Sequence, residues 1–412
     1  MNQKPNRSLT PIVCGLLLMA SQAAVQAQYD CTTNADGISI TITGYTGPGG
    51  PLTIPTNING LTVTCIGLGA FSENYSLTSV TIPGSVTCIS NAAFGLCTNL
   101  TRVSMTNGLA SIEYHAFVYC ASLTNITIPG SVTNIGNSAF YSCTLLTQVK
   151  IPASVTNIGY DAFAENTSLT SVTIPVSFSS GDDIFYAFDY DPKLTIVTID
   201  NGITSIPNGF FGGMYESDDL LASVSLPASV TNIADYAFNE CSGLTNVTLS
   251  YGLTSIGSNA FGHCYDVTNL TIPASVTYIG ASAFTACDYM YGDFFAGNAP
   301  TYPASSPPFD QIQTIYYLPG TTGWSNTYSG RPTVLWNPQI QTNDGSFGVQ
   351  NNQFGFNITG TSNIPIVVEV CTNLASPVWT ALQSLTLTNG LFYFSEPLQT
   401  NGSGRYYRNS AP

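Results

Sequence analysis

From about Leu52 to Asp288 the chain repeats one arrangement of apolar and polar positions. It is clearest in Leu77-Thr78-Ser79-Val80-Thr81-Ile82-Pro83-Gly84-Ser85-Val86-Thr87-Cys88-Ile89, followed by Ala93-Phe94 and Cys97, before the next unit opens at Leu100. Leu77, Val80 and Ile82 alternate with Ser79 and Thr81, the period of a strand with its β-branched residues turned inward and its hydroxyls outward. Proline then stops the strand at Pro83, Pro129, Pro152, Pro175, Pro227 and Pro273, since it cannot donate to a ladder. A second short extended piece, Val86-Thr87-Cys88-Ile89, repeats the alternation. The turn that follows drops a phenylalanine into the core, at Phe71, Phe94, Phe117, Phe140, Phe163, Phe188, Phe211, Phe238, Phe261 and Phe284, and seven of the nine intervals are 23 residues. One such unit has too little apolar surface to fold alone. Stacking buries its Leu, Val, Ile and Phe in continuous columns, so the pattern predicts a solenoid of parallel strands.

These motifs resemble the BspA-like, Treponema-type variety of leucine-rich repeat, of the form LxxVxIPxSVTxIxxxAFxxC, over residues 35–300. The resemblance implies an extracellular or surface-attached bacterial protein, often adhesive, that binds macromolecules and catalyses nothing. It carries no ligand across, because that family has no fixed binding motif.

The ends of a stack expose an apolar cross-section and an unpaired strand edge. Ile38-Ser39-Ile40-Thr41-Ile42 alternates like a strand and is the expected N-terminal cap. After Cys287 the repeat breaks into a Pro-rich stretch, so 296–338 is read as an irregular cap and linker that closes the solenoid of 28–295. From about Gln339, hairpin signals at Asn351-Asn352 and Asn389-Gly390, with the apolar runs around them, predict a small antiparallel β-sandwich over 339–412. The fold class is therefore mainly β, a solenoid of about ten units followed by that sandwich.

The first residues carry Lys4 and Arg7, an apolar run from Pro11 to Ala20, and Val25-Gln26-Ala27, which reads as a secretory signal peptide over 1–27 cleaved after Ala27. No later stretch reaches the ~20 apolar residues of a membrane helix. Of the eight basic residues, six follow Ala27, against 23 acidic ones, a net charge of −17 for the mature chain. So few cations exclude a basic stripe, and nucleic acid is not an expected partner. The mature chain is expected to act outside the cytoplasm as a monomer, without a cofactor.

Several residues could carry chemistry. Cys97, Cys120, Cys143, Cys241, Cys264 and Cys287 stand three residues after their Phe, one thiol per unit, which suits a compact buried residue better than a metal site. Cys65 and Cys88 stand six residues before a Phe in adjacent units, where neighbouring strands ~4.8 Å apart permit a disulfide. The two histidines, His115 and His263, lie six units apart and cannot share a site. Carboxylates gather where the period lengthens: Asp182, Asp183, Asp189 and Asp191, then Glu216, Asp218 and Asp219. A solvated acidic bulge is the plain reading and calcium the alternative, with Asp189, Asp191, Glu216, Asp218 and Asp219 as ligands, although no DxDxDG loop is present.

No catalytic residue is assigned. The outward positions of the strands form a polar, nearly uncharged face whose distinctive members are Arg102, Asn125, Thr127, Gln148 and Lys150, the candidate surface for an extracellular protein ligand. A glycan is the alternative partner, with Tyr75, Tyr119, Tyr190, Tyr215 and Tyr265 as stacking platforms on the turn edge. A passive envelope component would need no site.

Overall fold

The computed structural model describes residues 28–177, 186–212, 221–290, 292–310, 314–398 and 404–411. The segment read as a signal peptide lies outside them. No helix occurs among the described residues, and the chain divides into two compact units, Met1–Leu221 and Ala222–Pro412.

In the first unit each turn of the solenoid contributes two strands rather than one. The longer strands Gly50–Thr53, Leu77–Ile82, Arg102–Met105 and Asn125–Ile126 form one parallel sheet, with Val80 opposite Val103 and Ile126 opposite Val103 on its other side. Gln148–Lys150, Ser171–Ile174 and Ile196–Ile199 form a second. The short pieces Cys88–Ile89, Ser111–Ile112, Asn134–Ile135 and Asn157–Ile158 extend a further parallel sheet that begins with Ser39–Tyr45 and Leu61–Ile66. The longer strands end at or just before the predicted prolines. The carbonyls of Pro83, Pro129, Pro152, Pro227 and Pro273 then accept the N–H three residues on, as Pro83 does from Val86 and Pro152 from Val155, closing a turn.

Neighbouring turns are held by hydrogen bonds that recur every 23 residues. The Phe N–H donates to the alanine carbonyl of the next unit, from Phe94 to Ala116 at 2.8 Å and from Phe140 to Ala162 at 2.8 Å. Threonine hydroxyls donate backward to a carbonyl one unit earlier, as Thr87 does to Thr64 and Thr170 to Thr147. The cysteine thiols do the same: Cys97 Sγ–H reaches the Phe71 carbonyl at 3.1 Å and Cys120 that of Phe94 at 3.2 Å. The residue type is therefore both a compact hydrophobe and a donor that satisfies an otherwise buried carbonyl.

The phenylalanines stack face to face from Phe71 to Phe188, with centroids 4.9 to 5.5 Å apart and planes within 10°. Phe71 is not the end of that column: Tyr45 packs against it at 5.2 Å with its ring tilted by 37°, and Tyr29 against Tyr45 at 5.1 Å with a tilt of 45°. At Phe211 the alanine is replaced by Phe210, whose ring stands edge-on to Phe211 and leaves Phe211 6.3 Å from Phe188.

In the second unit Phe238, Phe261 and Phe284 continue the same stacking, and Phe309 lies on Phe284 at 5.0 Å with planes 4° apart. With seven phenylalanine turns in the first unit, the solenoid has about eleven turns. The expectation of an irregular segment over 296–338 differs from the structure here. Asn269–Ile272, Gly292–Phe295, Thr314–Tyr317 and Arg331–Leu335 form one parallel sheet in unbroken register. Prolines conceal this in the sequence, because Pro300, Pro303, Pro307 and Pro308 lengthen the turn before Thr314–Tyr317 and Pro332 stands inside the last strand.

Beyond Pro338 two antiparallel sheets follow, Gln339–Ile340 with Gln353–Thr359, Gly348–Gln350 and Leu391–Pro397, and Ile364–Cys371 with Thr380–Leu387 and Tyr406–Ser410. Phe356, Ile358, Ile366, Val368, Leu387 and Phe394 bury into one cluster, which also takes in Phe294 and Tyr316. The outward column, polar in earlier turns, is aromatic at those two positions because the C-terminal sheets cover it.

Candidate functional site

The outward side chains of the longer strands in the first unit line up by register: Ser79, Arg102 and Asn125 in one column, Thr81 and Ser104 in the next, then Gln148 beside Ser171 and Lys150 beside Thr173. Alternation fixes which residues face out. Val103, Ile126 and Val149 point inward and are buried, so Arg102, Asn125, Thr127, Gln148 and Lys150 are exposed.

Two adjoining hollows open on this face. One, of about 670 Å³, is bordered by Thr101, Arg102, Ser104, Thr124, Asn125 and Thr127. The other, of about 450 Å³, is bordered by Asn125, Thr127, Gln148, Lys150, Ser171 and Thr173. Asn125 and Thr127 belong to both, so the five residues picked out on this face from the sequence surround one continuous groove. The groove follows from a local defect. Asn125–Ile126 is only two residues long, and the regular ladder stops there before resuming at Gln148–Lys150. On either side of Asn125–Ile126 the turn-to-turn bonds are long, with Thr124 N–H to the Thr101 carbonyl and Thr147 N–H to the Thr124 carbonyl both at 3.4 Å, against 2.9 Å for the matching bonds Thr101 to Thr78 and Thr170 to Thr147. Thr101 and Thr124 also border the groove. Their signal in the sequence was the recurring Leu-Thr pair, whose hydroxyls bond the carbonyl one turn earlier.

The aromatic edge does not converge in the same way. Tyr75 and Tyr119 are exposed, but they sit at different places in their turns, and the ring next to Tyr119 is Tyr141, edge-on at 5.7 Å. Tyr141 donates a short hydrogen bond to Glu165, and its ionisation is pushed up by burial and by that carboxylate. Tyr190 is half-buried, while Tyr265 belongs to the second unit, its hydroxyl 3.2 Å from His263 Nδ1. Tyr215 lies outside the described residues.

Asp189 and Asp191 are buried, and each carboxylate accepts a backbone N–H, from Tyr190 and from Asn166. Asn166 and Asp191 stand where cysteine stands in other turns, so Asp191 replaces a thiol donor with an acceptor for the neighbouring turn. The other proposed calcium ligands, Glu216, Asp218 and Asp219, lie outside the described residues, as do Asp182 and Asp183. Among the described residues no three His, Cys, Asp or Glu side chains group as metal ligands would. His115 and His263 fall in different units, and burial holds His115 below the usual imidazole range.

Cys65 and Cys88 are joined Sγ to Sγ across adjacent parallel strands, with their Cα atoms 4.9 Å apart. The Cys97, Cys120 and Cys143 thiols are all buried, and desolvation pushes Cys97 and Cys143 up to about 12. They are inert packing groups at neutral pH.

The model of the BspA-type leucine-rich repeat region matches residues 64–187 and 184–291, more than half of the chain. The protein belongs to that family. Among solved structures it is similar to a T. pallidum leucine-rich repeat protein, at 28% identity over 58% of this chain and 88% of that one, with a TM-score of 0.39. It is similar also to a leucine-rich cell surface protein from Faecalibacterium prausnitzii, at 26% over 72% and 94% (TM-score 0.38), and to the pneumococcal vaccine antigen PcpA, at 22% over 70% and 85% (TM-score 0.43). No curated protein matches the chain. Among the described residues, no helix of this BspA-type protein is long and apolar enough to cross a membrane.

Proposed function

We propose that this BspA-type protein is exported by the segment ending at Ala27 and acts outside the cytoplasm as a binding protein. It engages an extracellular macromolecule through the outward strand face of its first unit and catalyses nothing. The observation that carries the reading is the groove around Asn125 and Thr127, where five exposed polar side chains from three successive turns face one open space. Membership of a family of surface repeat proteins supports a role in macromolecular interaction. An extended groove suits a ligand that makes many modest contacts, each too weak alone and sufficient together.

The test is binding of the mature chain to panels of immobilised matrix proteins and glycans, with Asn125→Trp plus Ser171→Trp as the blocking variant. Partners retained by the unaltered chain should be lost by the variant at an unchanged thermal midpoint, because both positions lie on the surface. Binding that survives the two tryptophans would place the site elsewhere, and turnover of a bound glycan or peptide would end the non-catalytic reading.

A further inference from the structure

The six basic residues that follow Ala27 are used in two ways. Arg405 pairs with Glu396 at 2.7 Å, Arg408 pairs with Glu369 at 2.6 Å, and Arg331 donates to the Asp310 carbonyl. Arg102, Lys150 and Lys193 have no ion-pair partner among the described residues, although the chain has 23 acids with which to pair them. All three are exposed, and of them Arg102 and Lys150 border the groove, two turns apart and so about 10 Å from each other along the stack. Between them stand amides and hydroxyls, Asn125, Thr127 and Gln148.

We infer that the groove takes an acidic polysaccharide, whose carboxylates or sulfates meet Arg102 and Lys150 while its hydroxyls bond Asn125, Thr127 and Gln148. The inference rests on the reading of this face as the binding surface and names what binds there. Three observations select the ligand class. The unpaired cations on a strongly acidic molecule supply the charge complementarity. Their sparseness fits a polymer with one acidic group every few sugars, whereas a phosphate backbone needs a dense basic stripe. The groove also lacks what a peptide would use, since its apolar members Val103, Met105, Ile126, Ile128 and Val149 are buried, Pro152 is only partly exposed, and no aromatic anchor borders it. Amide and hydroxyl donors and acceptors remain, the complement of a hydroxyl-rich chain.

The experiment measures binding of the mature chain to immobilised hyaluronan, heparin, neutral dextran and polyglutamate at several salt concentrations. The expected result is retention on hyaluronan, on heparin or on both, and none on dextran; hyaluronan alone would assign carboxylate as the anion, and heparin alone sulfate. Arg102→Gln with Lys150→Gln should weaken that binding about tenfold or more, the scale of losing two charge-assisted contacts, at an unchanged thermal midpoint. Asn125→Ala with Thr127→Ala should weaken it without changing its salt dependence. Failure of the unaltered chain to bind either acidic polysaccharide overturns the inference, as does equal binding by the Gln variant. Polyglutamate bound through the same two cations, with no polysaccharide retained, overturns it too but leaves the binding-face reading intact. That reading falls separately, if Asn125→Trp plus Ser171→Trp leaves partner binding unchanged.

Discussion

Each phenylalanine from Phe71 to Phe188 is flanked by rings on both sides, which decides what its removal costs. Phe140 lies between Phe117 at 5.3 Å and Phe163 at 5.2 Å and is fully buried. Phe140→Ala should therefore destabilise the protein by about 3–5 kcal/mol, read from denaturant unfolding. From the repeat alone Phe71 would be a terminal residue and more tolerant. Tyr45 covers its outer face, so Phe71→Ala should cost about as much as Phe140→Ala. The tolerant position is Tyr29, the outermost ring. A Phe71 variant much milder than the Phe140 variant would show that the tyrosine cap contributes little.

Among the strands, Gly292–Phe295 contains a conflict between its sequence and its place. Register puts Asp293 between Leu270 and Ile315, in a column of core aliphatics, and neither carboxylate oxygen has a hydrogen-bond partner. Full desolvation raises its ionisation well above the ordinary 3.8. In the unfolded chain the same group ionises near that ordinary value. Stability is thus fully present below about pH 4 and is lost as pH rises from there toward the folded value. Asp293→Leu should raise stability at neutral pH by about 2 kcal/mol, the scale of an unmet polar group, and the gain should shrink toward pH 4. A gain that is the same at pH 4 and pH 7 would mean that ionisation is not its source. This strand also marks where the sequence stops being readable. Earlier strands were legible because each fixed period supplied another copy of the same alternation. Here Phe309 follows Phe284 by 25 residues through prolines, and Phe294 and Tyr316 face outward while Phe295 and Ile315 stay buried inward, so the apolar alternation that identified the other strands is lost. The polar groove was legible as a set of outward residues, but not as a hollow, because it depends on Asn125–Ile126 being too short to complete the ladder.

For the whole molecule, the outward aromatics decide whether the C-terminal sheets can be removed. Phe294 and Tyr316 share a core with Phe356, Ile366 and Phe394, and Trp336 Nε1–H donates to the Pro365 carbonyl at 2.8 Å. A chain ended after Pro338 should expose that surface, bind an apolar dye and unfold at a lower temperature than the full chain. Unchanged unfolding after truncation would make the sheets an independent appendage. A strongly negative net charge favours solubility, and neither Arg102 nor Lys150 takes part in an ion pair among the described residues.

The spacing that orders the repeat also denies the native thiol pair any advantage before folding. Cys65 and Cys88 are 23 residues apart, and so are Cys97 and Cys120, and Cys120 and Cys143. Closing loops of equal length costs equal entropy, so an unfolded chain entering an oxidising compartment would form the wrong bridges as readily as the native one. Sequence of events has to supply the selectivity: the turns must close over Cys97, Cys120 and Cys143 before oxidant arrives, leaving Cys65 and Cys88 side by side on adjacent strands. Refolding under reducing conditions with oxidant added late should give one species with a single bridge, resolved by peptide mass mapping. Oxidant added at the start should give a ladder of scrambled forms. The molecule's correct covalent state is thus a record of the order in which it was made.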